Sequence, residues 1–255
     1  MKRERSSRRI VKQGSLAVTI LLAVMLIGST AVPALAADQM EATQIVEKAR
    51  LTLDGFMADK QMGAFRDLLK KAQGVVIAPD LLKGAFIVGL AGGNAVFLAR
   101  DKQTGQWSEP AFYTIGEASF GLQAGGEASE VILLAMTHRG VTALLGNSVK
   151  LGGDVGVAAG PYGMGAAAST ANLSADILSF SRSKGLYGGI SLDGAVVAVR
   201  GGLNQAYYGK EVSATDILVR HTVTNPQAAR LIEDVSKSAA QKSAERHQSP
   251  SVARS

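Results

Sequence analysis

The 255 residues hold 27 Lys and Arg against 21 Asp and Glu, with 29 Gly, three His and no Cys. The absence of cysteine excludes disulfides, thiol catalysis and a lipid-modified cysteine. Residues 1–36 carry six of the basic residues and one of the acidic ones. The remainder of the chain is near neutral at 21 basic and 20 acidic, so the high overall pI does not signal nucleic-acid binding.

Lys2, Arg3, Arg5, Arg8, Arg9 and Lys12 precede an uncharged run from Ser15 to Ala36 whose apolar heart is Leu16 to Ile27. The run ends in the small-x-small pattern Ala34-Leu35-Ala36. This order of charged, apolar and small-residue regions predicts a secretory signal cleaved after Ala36. The apolar heart is shorter than the roughly 20 residues that span a bilayer. Ser7-Arg8-Arg9-Ile10-Val11-Lys12 partly fits a twin-arginine signal, with Val11 where Phe is usual, so both the general and the twin-arginine routes stay open. The expected organisation is a signal over 1–36, one domain over 37–235 and a disordered polar tail over 236–255. The expected location is periplasmic or extracellular, peripheral on a membrane.

Apolar residues at three- and four-residue steps predict a helix from Met40, interrupted near Gly55, and a second helix over Met62 to Ala72. Short Gly-punctuated strands come next. Val75 to Ala78 reads as a buried strand closed by Pro79-Asp80. Ala85 to Leu90 and Ala95 to Arg100 flank Gly92-Gly93-Asn94, a hairpin signal. Further strands are expected over Ala111 to Ile115, Ser119 to Ala124 and Val131 to Met136, then a short helix over His138 to Leu145. The Gly/Ala/Val stretch from Gly152 to Thr170 suits close backbone approach. Ala175 to Ser181 and Leu186 to Leu192 precede Asp193-Gly194, the strongest hairpin signal in the chain, with Ala195 to Arg200 returning. Ser213 to Val219 fits a strand or a coil. A last helix is expected from Gln227 to about Lys237. The fold class is therefore α+β: one domain of Gly-rich antiparallel strands, curled toward a barrel, with flanking helices.

Little in the chain points to catalysis. His138, His221 and His247 have no partners at metal-ligand spacing, and a solvated histidine is the simpler reading of each. No Gly-x-Ser-x-Gly elbow occurs. Gly163-Met164-Gly165-Ala166-Ala167-Ala168 has the dinucleotide spacing but lacks a βαβ frame. Turn chemistry accounts for Asp80, Asp101, Asp154, Asp176 and Asp193. No cofactor, metal or catalytic residue is expected, and the pattern favours a binding or structural module.

Several ordered blocks carry a family resemblance. Gly74-Val75-Val76-Ile77-Ala78-Pro79 with Lys83-Gly84-Ala85-Phe86-Ile87-Val88-Gly89 is similar to the opening of a SYLF domain. Trp107 to Tyr113, Ser119 to Gly126, Phe180 to Gly194, and Asn204 with Tyr207-Tyr208-Gly209 resemble later blocks of the same family. The resemblance covers roughly Met40 to Val235. It implies lipid binding, with an N-terminal amphipathic helix and basic residues at the membrane; the matching positions here are Met40 to Phe56 and Lys83, Arg182 and Lys184. For an exported chain the implied partner is an anionic envelope phospholipid, or alternatively an envelope protein that it joins as a structural or interaction module. Nucleic acid is not expected as a partner, and neither is actin.

Overall fold

In the computed structural model, the residues described are 31–85, 88–120, 125–161, 174–183, 186–188 and 192–240. The chain opens with helix α1 (Ala31–Ala58), a 3-10 turn (Lys60–Met62) and helix α2 (Gly63–Leu69). Ala42, Ile45, Val46, Ala49, Leu53 and Phe56 fall on one stripe of α1 and are buried. The expected interruption at Gly55 does not occur. A side chain there would meet the Arg182 guanidinium at 2.8 Å, so Gly55 makes room for a neighbour and the helix continues. It ends at Asp59, whose carboxylate accepts the Gln61 N–H at 2.6 Å.

Among the described residues nine strands form one curled sheet: β1 (Gly74–Ala85), β2 (Val88–Ala99), β3 (Ala111–Phe120), β4 (Gly125–Ala135), β5 (Ser148–Lys150), β6 (Val157–Ala159), β7 (Ile177–Ser183), β8 (Leu186–Gly188) and β9 (Val196–Val199). The order is β5-β9-β3-β2-β1-β4-β7-β6, with β8 paired to β7. All pairings are antiparallel except β6 with β7. The shorter helices are α3 (His138–Leu144), α4 (Gly201–Tyr208) and α5 (Ala214–Leu218), followed by a 3-10 turn (Pro226–Ala228) and α6 (Ala229–Ala240). The expected α+β architecture is observed.

Three local readings change. β1 does not close at Pro79-Asp80 but bulges there and continues; its register shifts between Ala78 and Leu81 against β4. Gly92-Gly93-Asn94 is not a turn: β2 runs straight through it. A Cβ on Gly93 would lie 2.1 Å from the Asp80 carbonyl oxygen, so this glycine admits the bulge of the next strand. Asp193-Gly194 is a turn, with Gly194 at φ 90°, but among the described residues no ladder joins β8 to β9. β9 instead lies between β3 and β5. Ser213 to Val219 is mainly the helix α5, started by a capping box between Ser213 and Asp216. The last helix extends past Lys237 to Ala240 and buries Val235 and Ala239. The signal region before Ala31 and the tail after Ala240 lie outside the described residues, and the expected cleavage point after Ala36 falls inside α1.

The sheet is covered on both faces. On one, α1, α2, α4 and α6 pack over Val75, Ile77, Val96, Leu98, Phe112, Ile132, Leu134, Leu178 and Phe180. On the other, α3, α5 and their connections cover Val76, Phe97, Tyr113, Ile115, Leu133 and Val197. The first and last helices are tied together. Arg50 reaches Glu47 at 2.7 Å, Asp54 at 2.8 Å and Asp234 of α6 at 3.4 Å, and Thr43 donates to Gln227 at 2.8 Å.

Candidate functional site: an uncovered part of the sheet

β1, β3 and β7 end, and β2, β4 and β8 begin, at one end of the sheet, and the connecting residues 86–87, 121–124 and 184–185 lie outside the described set. Described parts of three of the family-like blocks, around Lys83, Ser119 and Arg182, lie toward this end, whereas those around Gly74, Trp107 and Asn204 lie at the other. The expected basic residues do not form one cluster. Lys83 pairs with Ala91 on β2 and shares the face of Leu81, the side covered by α3 and α5. Arg182 is on the opposite face, ion-paired with Glu130 on β4 and packed over Gly55 of α1. Lys184 lies outside the described residues, as does Gly163 to Ala168. The apolar stripe of α1 from Ala42 to Phe56 packs into the core on the sheet, while Met40 and Leu51 of the same segment are exposed.

Side-chain alternation exposes a feature that motif reading passed over. Leu82, Leu90 and Val196 are 61%, 63% and 41% exposed, although all three are strand residues. Leu82 follows Leu81, which packs on the α3–α5 side, so it points to the α1 side. Gly92 is its direct partner across β1 and β2; Gly116 is the partner of Gly92, and Val196 of Gly116. One row across four strands therefore reads Leu82, Gly92, Gly116, Val196. Leu90 stands two residues along β2 from Gly92, on the same face. Asn94 stands on the other side of Gly92, with its amide donating to Glu41 of α1 at 2.8 Å and accepting from Arg200 at 2.8 Å. α1 crosses the sheet at this level, where Lys48 meets Asp80 at 2.7 Å, and leaves the row beyond it uncovered.

The result is a cup with two backbone-only positions as its floor and aliphatic walls. Among the described residues, a Cβ at Gly116 would meet nothing within 4 Å, and one at Gly92 only a carbonyl oxygen at 3.7 Å. Leu82 and Val196 stand three strand spacings apart, about 14 Å. The cationic side is β9–β5: Lys150 pairs directly with Val196, and Arg200 lies beyond it on the same face. The sequence signal was available as lone large aliphatics beside strand glycines, but it needed the register to become a surface.

A second polar feature lies at the start of β3. Asn204 of α4 accepts the Phe112 N–H at 2.8 Å, the Tyr208 hydroxyl donates to the Pro110 carbonyl at 2.7 Å, and Asn225 donates to the Tyr207 carbonyl at 2.8 Å. Glu109 sits among them, half-buried. Burial pushes its carboxyl up to about 7, against a smaller opposing effect from the Asn225 backbone N–H; burial also raises Tyr207 and Tyr208, and the Glu109 charge adds to it. A carboxyl raised on folding stabilises the fold fully below its unfolded value near 4.5, and that contribution is lost as pH rises toward 7. Glu109→Gln should therefore flatten the decline in stability between pH 5 and 8. Solvent screening of the half-exposed group reduces the expected difference to about 1 kcal/mol, read from urea midpoints at the two pH values.

His138 and His221 are both exposed. Among the described residues no group of three or more His, Asp or Glu is placed to hold a metal ion, and no helix is long and apolar enough to cross a membrane. The fold and surface define a curled α+β domain with an open apolar face. The family profile of Ysc84, described as a Las17-binding protein actin regulator, matches residues 116–239. Human SH3 domain-containing YSC84-like protein 1 is 32% identical over 168 residues, covering 65% of this chain and 48% of the relative. The Xenopus laevis protein of the same name is 32% identical over 169 residues, covering 65% and 50%. LAS seventeen-binding protein 3 of Saccharomyces cerevisiae is 33% identical over 156 residues, covering 60% and 34%. Residues 116–239 thus match the Ysc84, or SYLF-domain, family, and the chain spans half or less of the length of these curated relatives. One expectation is overturned. Actin was set aside as a partner, yet the family is described as an actin regulator that binds Las17.

Proposed function

We propose that the chain is an exported, peripheral lipid-binding domain of the cell envelope, working by binding rather than catalysis. The supporting observation is the group of exposed large aliphatics, Leu82, Leu90 and Val196, on one uncovered part of an otherwise packed sheet. Exposed apolar surface of this kind marks an interaction site. The near-neutral domain gains little from net charge, so apolar contact supplies most of the attraction. Each basic residue near an anionic surface adds about 1 kcal/mol. Of the basic residues that the family resemblance offers to an anionic lipid, Arg182 shares the face of Leu82 and joins at the cost of its pair with Glu130, Lys83 lies on the opposite face, and Lys184 lies outside the described residues.

Flotation of the chain from residue 37 onward with phosphatidylglycerol and phosphatidylcholine vesicles tests the reading. Binding at low salt is expected, with a several-fold loss in the Leu82→Asp, Leu90→Asp double variant. No binding to either vesicle at low salt would sink it. A second reading comes from the family description: the same apolar face holds a protein partner of the Las17 or actin type. It predicts saturable binding to such a protein without vesicles, lost in the same double variant.

A further inference from the structure

The lipid-binding reading leaves open whether the protein lies flat on a bilayer or takes up part of one lipid molecule. We infer that the cup between Leu82, Leu90 and Val196 receives a single acyl chain of an anionic lipid, an inference that rests on that reading. Flat adsorption needs only exposed side chains. The floor here has a different property: Gly92 and Gly116 are direct cross-strand partners, so the depression is continuous over two adjacent strands. Flanking aliphatics rise on both sides, Leu82 on β1 and Val196 on β9. Glycine in a strand interior weakens the strand, and at Gly116 no described atom requires it, since among the described residues nothing lies within 4 Å of a would-be Cβ. Gly93, one residue from Gly92, has a packing reason in the Asp80 carbonyl, which Gly116 lacks.

Charge selects the kind of lipid. Lys150 is exposed on the edge strand directly beside Val196, and Arg200 lies on the same face of β9, bonded to the neutral Asn94. Neither takes part in an ion pair among the described residues, whereas the nearby Lys48 and Asp80 neutralise each other. Positive charge therefore borders the cup on its β9–β5 side, where an anionic head would lie with its chain over the glycine floor.

The test fills the cup without removing apolar surface. Gly116→Leu places a side chain in open space, so the fold is kept, as its circular dichroism and thermal midpoint will report. Spin-labelled stearate is the probe. The wild-type chain from residue 37 should immobilise it saturably, and Gly116→Leu should weaken that binding about ten-fold or more. Lys150→Glu should weaken stearate binding while sparing the uncharged stearyl alcohol analogue. Equal stearate affinity in the wild type and a folded Gly116→Leu would overturn the inference. So would a wild-type chain that floats with vesicles but does not immobilise stearate, and in that case the lipid-surface reading stands. Failure in both assays removes both.

Discussion

Replacing Gly93 with alanine is expected to destabilise the domain by about 3 kcal/mol, near the upper end of ordinary overpacking. The added carbon would sit 2.1 Å from the Asp80 carbonyl oxygen and 3.1 Å from the Leu81 Cα. Both obstacles are backbone, so no rotamer change relieves them. The strands would have to separate where β1 bulges. Gly116→Ala is the control: same residue type, same sheet, open space. It should change stability by no more than about 0.5 kcal/mol. Urea denaturation of both variants checks the pair, and equal costs would show that the close approach is not what requires Gly93.

Phe180→Ala should cost about 4 kcal/mol. The ring is fully buried and joins an aromatic chain under α1 and α2, with centroids 5.2 Å from Phe65, which is itself 5.4 Å from Phe56. It also lies against Gly160, where a Cβ would meet it at 2.2 Å. That contact predicts a non-additive pair. Gly160→Ala alone clashes with the ring, but in the Phe180→Ala background the methyl enters vacated space. The double variant should be more stable than the sum of the two single costs by at least about 1 kcal/mol. Simple additivity in a denaturation cycle would contradict it.

These two residues also show which parts of the fold could be read from sequence. Phe180 lay in a largely apolar run, and its strand was legible from composition alone. Gly93 lay in a tripeptide whose turn propensity is strong, and it was misread. Local propensity reports which backbone shapes a residue allows; it does not report a neighbouring strand that needs room. Gly55 is the helical version of that error, since the Arg182 guanidinium that requires it comes from 127 residues further along the chain. Asp193-Gly194 shows the converse. The positive-φ turn is present, but a turn does not choose the partner of the strand after it, and β9 pairs with β3 and β5.

The site was less legible than the fold. Basic residues in the family-like blocks were visible, but whether they converge depends on strand parity and on ion pairing. Lys83 and Arg182 lie on opposite faces, and Arg182 already holds Glu130. The cup was invisible because its parts come from β1, β2, β3 and β9, and only the register brings Leu82, Gly92, Gly116 and Val196 into line.

The clasp between the first and last helices has a consequence for how the chain comes into being. Thr43 and Gln227, like Arg50 and Asp234, are 184 residues apart. A growing polypeptide therefore cannot finish its helical layer until α6 has left the ribosome. Until then the inner face of α1 and the sheet beneath it lack one of their covering helices. The domain's last step of maturation is the joining of α1 to α6, and the nascent chain stays incompletely packed until α6 has been made.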